Sequence, residues 1–231
     1  MNVYHLMPAR PLVIGVFALI GSLTPVLSAQ ATLIGTTSLT PGSSVVPGLV
    51  SPGTLPGTLV ASLTQPFSFT DESGTVTSAV YLEAGGTLDF YYQITVSDTS
   101  DNSIAREIDT NFDSFATSVG FRTDAVGPFV AGQIAPTSSD RSLSGADVGF
   151  NFLTEVGSIE PTSDILVIST NATSFGAGHV EVFDNVTQAG GSDTVAALGP
   201  TTPAGVPEPI TLALLGIGLA GLGFSRRYKL K

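Results

Sequence analysis

Leu88, Phe90, Tyr92, Ile94 and Val96 alternate with Asp89, Tyr91, Gln93 and Thr95. A period of two places five apolar side chains on one face of an extended strand. Ala84-Gly85-Gly86 ahead of it reads as a turn, and Val76 to Leu82 before that turn as a second strand, so the stretch predicts a hairpin. The pattern recurs. Phe115, Thr117, Val119 and Phe121 share a face, as do Val148, Phe150 and Phe152. Ile165 to Ile168 is continuously apolar, as for a strand buried on both faces. Val180 and Val182 alternate with Glu181 and Phe183. A helical period shows only weakly, near Ile104 to Phe115. Short strands joined by Gly-, Pro-, Ser- and Asp-rich connections predict an all-β fold, a single antiparallel β-sandwich, jelly-roll-like or immunoglobulin-like. Cys and Trp, the marks of antibody domains, are both absent. Phe90, Tyr92, Phe121, Phe150 and Phe152 are the expected inward aromatics.

The sandwich is expected over residues 58–189, with different material on either side. Residues 1–31 read as a signal peptide: Arg10 supplies the positive charge, Pro11 to Leu23 the apolar segment, and Thr24-Pro25 the break. Ala29 and Ala31 fit the small-x-small cleavage rule, which starts the mature chain at Thr32. Residues 32–57 carry Pro-Gly at 41/42, 47/48, 52/53 and 56/57, each a turn signal, and read as a linker or a long surface loop. Residues 190–205, GGSDTVAALGPTTPAG, read as a flexible tether.

Charge narrows the function. Between the two ends the only cations are Arg106, Arg122 and Arg141, against eighteen of the nineteen acids, a net charge of −15. No Lys occurs there, so a nucleic-acid partner is excluded on electrostatic grounds. Catalytic and metal constellations are equally thin. With His5 in the signal peptide, His179 is the one histidine of the mature chain, and with no Cys this rules out zinc sites built on several His or on Cys. No G-x-S-x-G surrounds any Ser, and no phosphate-binding loop occurs. His179 is expected to face solvent from a strand. Asp109, Asn111 and Asp113 begin like a calcium loop, but Ser114 stands where the sharp turn needs Gly and Gly120 where the bidentate Glu belongs. No metal site and no cofactor are assigned. Carboxylates are plentiful enough for a glycosidase pair, yet no spacing selects one, so a hydrolase is the weakest alternative and the chain is expected not to be an enzyme. A polysaccharide-binding module is the stronger alternative, with Tyr81, Tyr91 and Phe183 as an outward aromatic strip.

The last 26 residues read differently from all of this. Val206, Pro207, Glu208 and Pro209 form a rigid polar motif, Ile210 to Phe224 an apolar run without a charge, and Arg226, Arg227, Lys229 and Lys231 a basic end. As a helix the run of 15 residues is about 22 Å long, a marginal span of a hydrocarbon layer of roughly 30 Å. Ala213, Gly216, Ala220 and Gly223 would share one face, suited to close contact with another membrane helix. Clustered cations after an apolar run stop it in the membrane with the C-terminus in the cytoplasm. Motif, apolar run and basic end in this order resemble the PEP-CTERM sorting signal of exported bacterial proteins. The resemblance implies a membrane-embedded exosortase as partner, cutting near Pro-Glu-Pro, and a destination at the cell surface or in the extracellular matrix. It further suggests a role with exopolysaccharide or biofilm. It covers 206–231 and implies no activity for the rest of the chain.

Overall fold

The computed structural model describes residues 33–69, 72–97, 103–184 and 191–202. The expected signal peptide with Ala29 and Ala31, and the whole of 206–231, lie outside these residues. Among the described residues the fold is all-β, with thirteen strands and no helix. They are β1 (Thr37–Ser38), β2 (Ser44–Val45), β3 (Gly48–Leu49), β4 (Thr58–Phe69), β5 (Glu72–Leu82), β6 (Leu88–Val96), β7 (Ser103–Asp109), β8 (Thr117–Arg122), β9 (Ser138–Arg141), β10 (Val148–Gly157), β11 (Ile165–Thr170), β12 (Phe175–Phe183) and β13 (Ser192–Pro200). One sheet runs β1-β8-β11-β6-β5-β4, with β3 also on β8; the other runs β13-β12-β7-β10-β9-β2. Every named strand pair is antiparallel except β3 with β8.

The hairpin foreseen from the alternation is β5–β6, closing at Leu82 opposite Leu88. Its turn holds because the Gly86 N–H donates to the Glu83 carbonyl at 2.9 Å, with Gly86 at φ +83°, where a side chain is strained. Leu88, Phe90, Tyr92, Ile94 and Val96 all enter one core, shared with Val148, Phe150 and Phe152 of β10 and Val180 and Val182 of β12. That core draws on both sheets, the arrangement of a two-layered sandwich. Each large apolar side chain buried there contributes about 1.5–3 kcal/mol. β11 is buried along its whole length, as its continuous apolar run demands: Leu166 and Ile168 face the shared core, Ile165 and Val167 the other side.

That other side accounts for the main departures from expectation. The outer face of the seven-stranded sheet is covered by a second cluster, in which Leu33, Val50 and Phe129 lie over Ala79, Tyr81, Tyr91, Ile165 and Val167. Tyr81 and Tyr91 pack ring to ring, centroids 4.6 Å apart. They are therefore not an outward strip, and Phe183, opposite Arg106 in the register, is buried too. The aromatic platform foreseen for polysaccharide is absent. The reason is non-local: strand period shows which residues share a face, but not that a distant loop covers the second face. Phe121, expected in the core, is only half-buried and lies outside it.

Three further expectations change or narrow. The stretch with weak helical period contains β7, an interior strand of the six-stranded sheet, because pairing on both flanks outweighs local propensity. Of the two readings of the Pro-Gly stretch the structure shows the surface loop, a strap built into the fold, and not the linker. The strap places β1 and β3 on β8 and β2 on β9, and buries Leu39 and Val50. The expected tether supplies β13, paired with β12 from Ser192 to Pro200, with Val195 and Ala197 in the core.

Strap and β13 close the two sides of the domain. On one side the Leu39 N–H donates to the Thr117 carbonyl at 3.0 Å. On the other, the Tyr92 hydroxyl donates to the Leu198 carbonyl at 2.7 Å and the Leu198 N–H to Ser78 Oγ at 3.2 Å. The edge strand β4 is blunted. The outward N–H of Ser68 is capped by Asp193 at 2.9 Å, and Pro66, on the same side of the strand, has no N–H to offer. A register shift between Leu59 and Ala61 bends the rest. These are the devices that keep an edge from recruiting another strand.

Candidate functional site

Of the residues singled out from sequence, Val206 to Pro209, the apolar run and the basic end lie outside the described residues. His179 is exposed on β12, as expected of a strand residue facing solvent. Asp109, Asn111 and Asp113 do not converge: Asp109 is buried, the Asn111 side chain donates to the Ala177 carbonyl at 3.2 Å, and Asp113 is exposed. Among the described residues no group of three or more His, Asp or Glu could hold a metal ion. No helix among them is long and apolar enough to cross a membrane.

The three domain arginines are all buried, each in its own network. Arg106 on β7 forks onto Asp140 of β9 with contacts of 2.6 and 2.7 Å and also donates to Asn151 of β10. Burial works against the Asp140 charge, but the hydrogen bonds from Arg106 and Asn151 prevail and hold its carboxyl below the usual range. Arg122 forks onto Asp124, at 3.1 and 2.9 Å. Arg141 hydrogen-bonds to no carboxylate, although the charge of Asp113 nearby favours its own. Its Nε donates to Gly145, Nη1 to the Leu39 carbonyl and Thr117 Oγ1, and Nη2 to Phe112 and Phe115. A guanidinium has five N–H groups, and all five are used. A cleft of about 330 Å³ opens beside it, between Ser38–Pro41 and Ser114–Thr117, but Arg141 has no donor left for an anion there. It ties the strap to two loops.

Gly149 of β10 lies beneath the Arg106 guanidinium. A Cβ there would stand 2.2 Å from Nη2. The guanidinium could swing away only by leaving Asp140. Gly149→Ala is therefore expected to destabilise the domain by about 1–3 kcal/mol, which a thermal melt would read as a lower Tm. An unchanged melt would refute this packing.

Sequence reasoning passed over one pair. Glu107 and Asp109 share the face of β7 that points into the shared core, and both are fully buried. Their carboxyl oxygens have only each other and the Tyr92 hydroxyl for polar company. Burial pushes both carboxyls far up, and their mutual repulsion raises Asp109 further. Two neighbouring carboxyls suit glycoside hydrolysis only where a sugar can lie between them. Here they are enclosed by core side chains, and no arginine faces them. The available sequence signal was Glu-x-Asp on a strand otherwise lined by Ile104 and Ala105. Other buried acids follow the same rule. Burial raises Asp164 to about 6. Asp89, beside Ser169 and Glu83, is raised by burial to about 7.

The end of the described domain leads into the rest of the chain. β13 ends at Pro200, and the Thr201 N–H donates to the Ser174 carbonyl at 3.1 Å. Residues 205–227, which begin four positions later, match the family model for the PEP-CTERM protein-sorting motif. The chain carries a PEP-CTERM sorting signal. No curated protein and no solved structure matches the chain. The signal marks an exported protein processed by a membrane enzyme of the exosortase type, and the match covers Val206 to Pro209, the apolar run and Arg226 and Arg227.

Proposed function

We propose that this is an exported bacterial surface or matrix protein whose chemistry is to be a substrate. The observation that carries the reading is the match over 205–227, with its motif, apolar run and cations in order. Residues 1–31 direct the chain to export and are removed after Ala31. Ile210 to Phe224 enters the membrane, and Arg226, Arg227, Lys229 and Lys231 hold the end in the cytoplasm. Pro207 and Pro209 fix an extended backbone around Glu208, the shape and charge that the enzyme reads. The β domain, cation-free at its surface and closed along both sides, is the released or displayed product, serving in the extracellular polymer layer. Replacing Pro207, Glu208 and Pro209 together by Ala in the native host is expected to leave the chain unprocessed in the membrane. Intact masses from cells and medium read the result, and unchanged processing with unchanged display would remove the proposal.

A further inference from the structure

β13 is hydrogen-bonded to β12 along its length, two of its side chains are in the core, and its end is held by Tyr92, Ser78 and Ser174. Five residues, Thr202 to Val206, separate Thr201 from Pro207. Fully extended, that chain spans ~20 Å. An enzyme embedded in the membrane and acting at the motif therefore meets the end of the folded domain.

That end is one continuous face. The Leu88 N–H donates to Ala172, Phe112 to Ala146 and Ala116 to the Asn171 side chain, joining the β5–β6, β7–β8, β9–β10 and β11–β12 connections around the exit. Its charges are acidic. Asp113 is exposed, Asp147 is half-buried, and Arg141, the cation at this end, is buried with every N–H bonded. Leu143, 90% exposed, stands among them. We infer that this exit face is a docking surface for the extracytoplasmic side of the processing enzyme, and that it fits a surface carrying positive charge. The inference rests on the proposed processing at the motif. Charge complementarity would act mainly on encounter and orientation, bringing Pro207 to the active site in register.

The test uses the full chain in its native host and follows conversion of precursor to processed form over time. Asp113→Lys with Asp147→Lys is compared at native spacing and with a flexible Gly-Ser insert of twenty residues after Thr202. The charge change is expected to slow processing about threefold or more at native spacing and to have no effect behind the long insert. No effect at native spacing, or the same slowing in both forms, would overturn the inference. Chains with Pro207, Glu208 and Pro209 replaced by Ala run alongside. If those are processed normally, the sorting reading itself fails, whatever the charge variants do.

Discussion

Trypsin is expected to leave the folded domain whole. From Pro11 to Ser225 the chain has no Lys and three arginines, which are 7%, 1% and 5% exposed at Arg106, Arg122 and Arg141. Each lies within or at the end of a paired strand, so its peptide bond reaches a protease only when that strand is released. For a domain with ordinary stability the open population lowers cleavage by a factor of about a thousand or more. Cuts should fall at the basic end after Arg226, Arg227 and Lys229, and at Arg10 in any chain that keeps it. In urea all three domain arginines should be cut at once. Mass spectrometry of a timed digest decides it, and early cutting at any of the three in native buffer would show that the burial is wrong. The consequence is biological as well as structural. Cations are spent on internal networks, and an exported product has no exposed site for Lys- and Arg-directed proteases.

Stability is expected to fall as pH rises from 5 to 8. The sign follows from proton binding. Glu107, Asp109, Asp89 and Asp164 are all raised in the folded domain, with Asp164 at about 6 and Asp89 at about 7. In the unfolded chain the same groups lose their protons at about 4. The folded state therefore holds more protons from about pH 4 up through these raised values, and each step up in pH in that window favours unfolding. Asp124 and Asp140, lowered in the fold, act in the opposite direction, and their contribution is lost only as pH falls below the usual carboxylate range. Unfolding free energy from urea titrations should be lower at pH 8 than at pH 5 by about 4 kcal/mol or more. Glu107→Gln with Asp109→Asn should flatten most of that slope, because an amide has no proton to lose. A stability that stays level or rises between pH 5 and 8 would mean that these carboxyls are solvated or paired with a cation.

Much of the architecture was legible locally. The β5–β6 hairpin, the inward faces of β10 and β12 and the doubly buried β11 follow from period and run length, because side-chain direction in a strand is set by the backbone pleat. β7 was not legible. Ile104 to Asp109 carries Arg106, Glu107 and Asp109, which read as surface, and its place inside a sheet depends on partners about forty or more residues away in β10 and more than seventy in β12. Nor was the role of residues 191–200, whose small and polar composition reads as tether until Val195 and Ala197 meet a core already formed by other strands.

The sorting signal belongs wholly to the sequence. Adjacency of motif, apolar run and cations carries it, over residues 205–227. The all-β class is likewise sequence-determined, through period two and frequent turns. Tertiary structure alone decided what becomes of the charges and aromatics. Whether Tyr91 faces solvent or a second cover, whether Arg141 offers a charge or spends it on five acceptors, and whether two core carboxyls keep their protons all depend on groups far away in the chain. Burial and electrostatics are sums over neighbours in space, and linear spacing does not record them.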